Sequence, residues 1–440
     1  MANSYLNRTV SSAGNRRTWT FSAWVKRSGL TANNSAGYDT FFSADEQATN
    51  SVRITFSSDA SNDKLRVYYY TGSMQMDLVT NREFRDTSAW YHIVVQVDTT
   101  QSTASDRAKI YVNGVQETSL ATSTYPSQNT DTSVNQSGSP HEIGRGGGNL
   151  YFNGYLSHVA LVDGSVVAPT VFGETDSTSG IWKFKQPLGV TWGTNGFHLK
   201  FENSGALGTD SSGNSNTFTV NGNLKQALDT PSNVYATFNP LDKSGGTVTT
   251  FSDGNTTIMH NAGGNGATTA ARSTLGYSSG KWYWEAKCIA TGGDVRTGII
   301  SMSSTDYATA ANPYTLNECY NYKQNGDKGS GDPETNVSYA ATYTAGDIIG
   351  IAHDADSGSL TFYKNGVSQG VAFSGLSTSL TWGAFSTEYN QGKYSYNFGN
   401  GYFGTTAITS AGSNGNGSLF EYDVPSGYYA LNTKNINSYG

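Results

Sequence analysis

RTWTFSAWVKRS, residues 17–28, alternates strictly: Trp19, Phe21, Ala23 and Val25 fall on one side of an extended chain, Thr18, Thr20 and Ser22 on the other. That period of two is the signature of a strand. The pattern recurs in AWYHIVVQVDTT (89–100), where Tyr91, Ile93, Val95 and Val97 alternate with His92, Val94, Gln96 and Asp98. AKIYVNGVQ (108–116) sets Ile110 and Val112 before Asn113 and Gly114. Asn-Gly between short apolar runs predicts a hairpin, because both residues tolerate the positive φ of a type I′ turn. HEIGRGGGNLYFNGYLSHVALVDG (141–164) adds short strands around Ile143, Phe152, Leu156 and 159–161. Short strands punctuated by turns are the pattern of a two-sheet sandwich.

A second set begins near residue 240. GKWYWEAKCIA (280–290) places Trp282, Trp284, Ala286 and Cys288 on one face and Lys281, Tyr283, Glu285 and Lys287 on the other. GDIIGIAHDADSGSLTFYKNGVSQG (346–370) reads as strand, acidic turn, strand and a second Asn-Gly hairpin at Asn365 and Gly366. WGAFSTEY (382–389) and KYSYNFGNGYFG (393–404) complete the set. Between the two sets, 176–240 is dominated by turn residues, with one strand over 197–201 and a Gly/Ser/Asn-rich surface loop or linker over 203–223. The reading is an all-β fold of two antiparallel β-sandwich, jelly-roll-like domains, 1–175 and 241–440. A Gly/Asn-rich bridging segment with short strands, 176–240, joins them. A C-terminal extension, 405–440, carries strands in FEYDVP (420–425) and YYALNT (428–433) and packs on the second domain.

Composition agrees. The chain has 440 residues, with Gly 51, Tyr 28, Phe 19 and Trp 8 but only Pro 9 and Cys 2; two to four domains fit about 100–200 residues each. Charged residues make up 14%, against roughly 25% in ordinary globular chains. A net charge of −7 gives no electrostatic footprint for a nucleic-acid backbone. The longest apolar stretches, such as 348–352, are far too short to insert in a membrane. The polar start MANSYLNRTVSS lacks the apolar core of a secretory signal. Cys288 and Cys319 cannot build a disulfide framework or a four-ligand zinc site; two buried free thiols are the expectation.

WTFSAWVKRS, WYHIVVQVD, IYVNGVQ and IGRGGGNLYFNGYLSHVALVDG together resemble a laminin-G/pentraxin-type domain of the concanavalin A-like lectin superfamily, over about 1–175. GKWYWEAK, GDIIGIAHDADSGSLTFYKNGV and YSYNFGNG are similar to a SPRY domain, over about 241–404. Both resemblances imply antiparallel sandwiches used mostly for binding. SYLNRTVSSAGNRRTWTFSAWVKRS (4–28), DSSGNSNTF (210–218), DTPSNVYATFNPLD (229–242) and PSGYYALNTKN (425–435) add a third resemblance, to virion proteins of tailed, notably marine, bacteriophages. This implies a place on a virion surface, in a tail or fibre-like appendage, after synthesis in the host cytoplasm. It also implies other virion proteins and a host-surface glycan or protein as partners, and a homo-oligomer.

No motif carries catalysis, so the expectation is a non-enzymatic chain. Glycoside hydrolysis needs two carboxylates flanking the bond. The one partial echo is Glu421–Tyr422–Asp423, followed by Val424, Pro425 and Ser426 where a second Glu belongs. Carboxylates distant in sequence could still meet in space, which keeps a polysaccharide depolymerase as one alternative beside a capsid-decorating or virion-linking protein. None of the six histidines stands in a metal-ligand spacing. Gly144–Arg145–Gly146–Gly147–Gly148 lacks the ending of a phosphate loop and reads as a flexible inter-strand turn.

No cofactor is expected, with calcium as the open alternative. Asp210, Ser212, Asn214 and Asn216 occupy alternate positions, like the start of an oxygen-rich calcium loop. Ser215 and Asn221 stand where an EF-hand needs Gly and Glu, and an Asx-type turn is the favoured reading. For ligand binding the candidate is a loop cluster of Tyr307, Tyr314, Asn317, Tyr320, Asn321, Tyr322 and Gln324. Rings there offer contact area and amides offer hydrogen bonds.

Overall fold

The computed structural model describes residues 4–30, 37–46, 49–57, 63–244, 249–260, 268–304, 307, 310, 312–331 and 335–440. The chain divides into two compact units, 1–226 and 227–440. Both are built from antiparallel sheets, as the alternation predicts.

In the first unit one sheet runs, neighbour to neighbour, Leu120–Thr124, Met74–Glu83, Lys64–Tyr70, Asn50–Ser57, Tyr38–Glu46, Pro140–Ile143, Tyr5–Thr9 and Thr219–Asn221. The facing sheet runs Phe197–Leu199, Gly154–Asp163, Thr18–Arg27, Tyr91–Asp98, Ala108–Val112 and Val115–Gln116. Trp19, Phe21, Ala23 and Val25 all enter the core between them, beside Ile93, Val95 and Val97. A register shift between Thr40 and Phe42 turns both Phe41 and Phe42 inward, the usual effect of one extra residue in a strand.

The polar face of Thr18–Arg27 is not open to water. Residues 165–192 form a further layer over it, with Phe172, Val190 and Trp192 packed on Ala160 and Val162. Thr20 Oγ1 donates to the Ser165 carbonyl at 3.0 Å. Trp182 Nε1 donates to His92 Nδ1 at 3.0 Å, which leaves the proton on Nε2 for Ser22 Oγ, 2.9 Å away. Burial pushes the His92 pKa down to about 3, so the ring is a neutral structural link.

Residues 176–240, read from sequence as a bridge, are shared between the units at Gln226 and Ala227. Phe197–Leu199 pairs with the strand through Ala160, and Thr219–Asn221 pairs with the strand through Asn7. Phe197, Leu199 and Phe218 belong to the first unit's core. Strand pairing stops at Leu199, short of the expected 201; Phe201 has φ 62°.

The second unit places Phe238–Ser244, Thr269–Tyr277, Trp382–Tyr389, Asp294–Ser301, Cys319–Lys323, Asp327–Ser330 and Thr335–Ser338 in one sheet. The other sheet runs Thr249–Ser252, Thr257–His260, Lys393–Asn397, Lys281–Ala290, Ile348–Asp354, Ser359–Lys364 and Val367–Phe373. Trp282, Trp284, Ala286 and Cys288 face the core between them. On the opposite face Tyr283 and Glu285 are also buried, under the C-terminal extension. Tyr283 packs edge-on to Phe420, and the Glu285 carboxylate accepts the backbone N–H groups of Glu421 and Tyr422, each at 2.9 Å. Of the two strands expected in the extension, Tyr429–Ala430 forms and 420–425 does not. A short helix, Thr433–Tyr439, follows, capped by the Asn432 side chain on Asn435 N–H at 2.9 Å.

Both Asn-Gly hairpins form with the backbone their sequence demands. Asn113 and Gly114 have φ 49° and 80°, Asn365 and Gly366 φ 49° and 78°. Each Asn side chain also accepts a backbone N–H from the strand beside its hairpin, from His92 and from Ile348, at 2.8 Å. Cys288 and Cys319 are buried free thiols. They lie in separate apolar clusters.

Candidate functional site

The outward face of the first unit's larger sheet carries an array of interlinked polar and aromatic side chains. Its strands send Leu6, Ile143, Val52, Ile54, Val67 and Leu78 to the core, so the alternate residues point away from it. Register sets Asn7, Glu142, Ser43, Arg53, Tyr68 and Asp77 side by side across six strands. The guanidinium groups are fixed. Arg66 donates to both Asp77 oxygens at 2.7 and 2.9 Å and to Tyr38 Oη at 2.6 Å, and lies over the Tyr68 ring. Arg53 donates to Asp45 at 2.6 Å and to Tyr68 Oη at 3.0 Å. Arg145 is paired with Glu142 and lies 3.5 Å from the Tyr5 ring centroid.

The stretch read from sequence as a flexible turn lies on this face. Arg145–Gly146 pairs with Leu150–Tyr151, which in turn pairs with Thr40. A Cβ at Gly147 would overlap the Asp45 carboxylate, which explains a glycine there. Each cation is matched by an acid, and rings and guanidiniums are already immobilised. Ser43, Asp45, Glu142, Tyr68 and Arg53 are themselves buried, so the part a ligand can reach is the half-buried group of Tyr38, Arg66 and Asp77, already fixed and needing little further ordering. The sequence signal for it was present in the alternate positions of 38–77, but reading it required knowing which strands are neighbours.

The tyrosine cluster is divided by the same alternation. Cys319–Lys323 is a strand, paired with Asp294–Ser301 and Asp327–Ser330. Tyr322 is 0% exposed in the core, packed against Tyr343 and Phe362, and its hydroxyl donates to the Ala341 carbonyl. Tyr320 packs on Phe373 and Trp382. Gln324 Oε1 accepts the Val295 N–H at 2.8 Å. On the opposite face Asn321 and Tyr307 are 0% exposed, Tyr307 beneath Arg272 and Tyr314 against Arg296. Asn317 alone of the seven is exposed. The expectation of an adaptable loop surface is therefore corrected: Tyr307, Asn321 and Tyr322 are interior groups, and a buried ring cannot stack on a ligand.

Asp210, Ser212, Asn214 and Asn216 do come together, as an Asx-type turn. The Asp210 carboxylate accepts from His198 N, Ser212 N, Ser212 Oγ and Asn216 N at 2.8–2.9 Å. Asn214 Nδ2 donates to the Gly193 and Gly196 carbonyls, and Asn216 Nδ2 to those of Thr194 and Gly196. Asn216 Oδ1 accepts from Arg8. Calcium needs oxygen lone pairs turned to one centre. Here they are taken by N–H and O–H donors, with a guanidinium alongside, so this donor set does not fit the ion. Glu421 and Asp423 likewise act as turn acceptors, for Thr409 N at 2.8 Å and Ser413 N at 2.6 Å.

Fold and face define a protein of two β-sandwich units, one of them with a hydrogen-bonded polar network on the outward face of its larger sheet. Two family models match parts of the chain. Residues 2–172 match the concanavalin A-like lectin/glucanases superfamily and residues 281–401 match the SPRY domain. A search of curated proteins returned no match. Among solved structures, the SPRY domain of human HERC1 is 18% identical, with 36% of this chain and 96% of that one covered and a TM-score of 0.30. A human SPRY domain is 16% identical (34% and 94%, TM-score 0.28), and stonustoxin 16% identical (37% and 27%, TM-score 0.28).

Proposed function

We propose that this chain is a non-enzymatic binding component of a bacteriophage virion surface, in a tail or fibre-like appendage, that recognises a host-surface glycan or protein. The observation that carries the binding reading is on the outward sheet face of the first unit, where the half-buried Tyr38, Arg66 and Asp77 are held together over the buried Tyr68 ring. Both matched families are typically binding domains, in line with this. The virion placement rests on the resemblance of 4–28, 210–218, 229–242 and 425–435 to phage virion proteins. Assembly into a homo-oligomer belongs to the same reading.

The test is retention of labelled protein on candidate host cells, with and without periodate oxidation of their glycans. Tyr38→Ala is expected to lower retention about tenfold or more, the range for losing an anchoring aromatic, with the thermal midpoint little changed, whereas Arg66→Ala, which strips Asp77 of its bidentate partner, should lower both retention and the thermal midpoint. Loss of retention after periodate identifies the partner as glycan; retention that survives it identifies protein. No retention on any host, together with tight binding to other virion proteins, would replace this reading with a purely structural role.

A further inference from the structure

Residues 165–192, the layer over the sheet that holds Thr18–Arg27, set an aromatic ring against each of three histidines. Trp182 is nearly coplanar with His92 and donates Nε1–H to its Nδ1 at 3.0 Å. Phe184 stacks on His158 with ring centroids 3.6 Å apart, and Trp192 stacks on His198 at 5.6 Å. Trp182 and Phe184 share one face of a three-residue strand paired with Gly173–Thr175. A Cβ at Gly173 or Gly114 would overlap the Trp182 indole, so glycine on both sides lets that ring down onto His92. We propose that the layer is an acid-released flap: protonation of His92, His158 and His198 detaches it and uncovers the sheet face of Trp24, Ala160 and Val162.

Each contact is made for a neutral imidazole. A proton on His92 Nδ1 would set N–H against the Trp182 N–H, donor to donor, and Nε2 is already engaged with Ser22 Oγ. His158 Nδ1 is buried with no partner. Its ring lies 5.6 Å from that of His198, so charging both brings two cations together. Lys200, held by Glu202 at 3.9 Å, acts against a charge on either ring. Asp210 favours a charge on His198, but its oxygens already accept from four donors. Elsewhere on this face Lys26 lies over Tyr155 and Lys109 is paired with Asp106. On the flap Lys183 bridges Glu174 and Asp176, on the strand face opposite Trp182. Burial first, and then the neighbouring cations, push His158 down to about 3 and His198 to about 4; burial alone pushes His92 to about 3. A ring neutral under the flap and charged once it lifts takes up a proton on opening. Closure is therefore fully stable above the ordinary pKa of 6.5 and weakens as pH falls towards 4. At roughly tenfold or more per ring, three rings raise the opening constant about a thousandfold between pH 7 and pH 5.

The test is hydrogen exchange of the full chain, read by mass spectrometry from pH 7 to pH 4.5 and corrected for the intrinsic rate. Peptides from 165–192, where Val167 N–H is held by Thr20 Oγ1 at 3.1 Å, report the flap. Peptides from Tyr91–Asp98, in the core sheet, report the whole unit. Opening of the flap should steepen to nearly three protons per opening while Tyr91–Asp98 stays protected. His92→Gln keeps an acceptor for Trp182 and a donor for Ser22, and His158→Asn suits the φ of 47° there. Each should lower the slope by about one, and with His198→Gln added the response should be flat. His141→Gln, at a buried histidine outside the flap contacts, should leave the slope at three. Where a variant does not fold, the slope of the natural chain decides. A slope below two, loss of protection in Tyr91–Asp98 at the same pH, an unchanged slope in His92→Gln, or a lowered one in His141→Gln would overturn the proposal.

Discussion

Glu388 shows what a single residue contributes that local pattern does not announce. Its carboxyl is fully buried, bonded to Ser386 and to Thr269 Oγ1, and burial pushes its pKa up from 4.5 to about 8. A folded-state pKa above the unfolded one means the native protein holds a proton that the unfolded chain has already lost. Stability is therefore full below about pH 4.5 and falls as pH rises towards 8. Glu285, pushed up to about 7 by burial, adds to the same slope. Above about pH 6.5, where buried histidines such as His92 are neutral in both states, urea midpoints should drop up to pH 8.5, and Glu388→Gln, which keeps shape without the titration, should flatten much of that drop. Superimposable profiles for the two proteins would place this carboxyl in water instead. The tyrosine cluster marks the same limit of legibility. The stretch read as a loop is a strand with Tyr320 and Tyr322 on one face, and Asn321 and Cys319 on the other face are as buried as Tyr322, because both sides of that strand are covered. Alternation separates the faces; it does not say how many layers lie above each.

At the scale of elements, the strands most legible in sequence were those with one strong face and a turn of fixed chemistry. Asn113 with Gly114 and Asn365 with Gly366 needed positive φ, and no tertiary partner competes with that demand. The layer over Thr18–Arg27 and the C-terminal extension were harder, since each lacks periodicity and is held by isolated contacts from distant residues. Glu285 is such a contact: it accepts two N–H groups from 421 and 422, and Asn397 Nδ2 lies at 3.3 Å. Glu285→Ala leaves those backbone donors buried without an acceptor, at about 1–3 kcal/mol for each unsatisfied group. The extension should then open before the rest of the second unit does. Limited proteolysis should show new cuts within 405–432 in Glu285→Ala while the 281–401 region stays resistant. An unchanged digestion pattern would mean that Phe420 and Val424, which pack with Tyr283, suffice to hold the extension down.

For the molecule as a whole, the decisive question is where one folding unit ends. Composition shifts put the first boundary at 175, because residues beyond it lose alternation. Packing puts it at 226. Phe197, Leu199 and Phe218 sit in the first core, each worth about 1.5–3 kcal/mol of apolar burial. Asp163 accepts the Asn195 N–H at 3.0 Å, and Arg8 reaches Asn195 and Asn216 at 3.3 and 2.5 Å. Truncation at 175 would strip these contacts and uncover the edges of both sheets. Summed, the loss is comparable to the whole stability of an ordinary domain, about 5–15 kcal/mol. A fragment of residues 1–226 should melt in one cooperative transition by circular dichroism, and 227–440 should do the same. Residues 1–175 should show no such transition and should aggregate through the exposed edges. If 1–175 melted cooperatively at the midpoint of 1–226, residues 176–226 would be an appendage to the sandwich, and the turn-rich composition would have marked the boundary correctly after all.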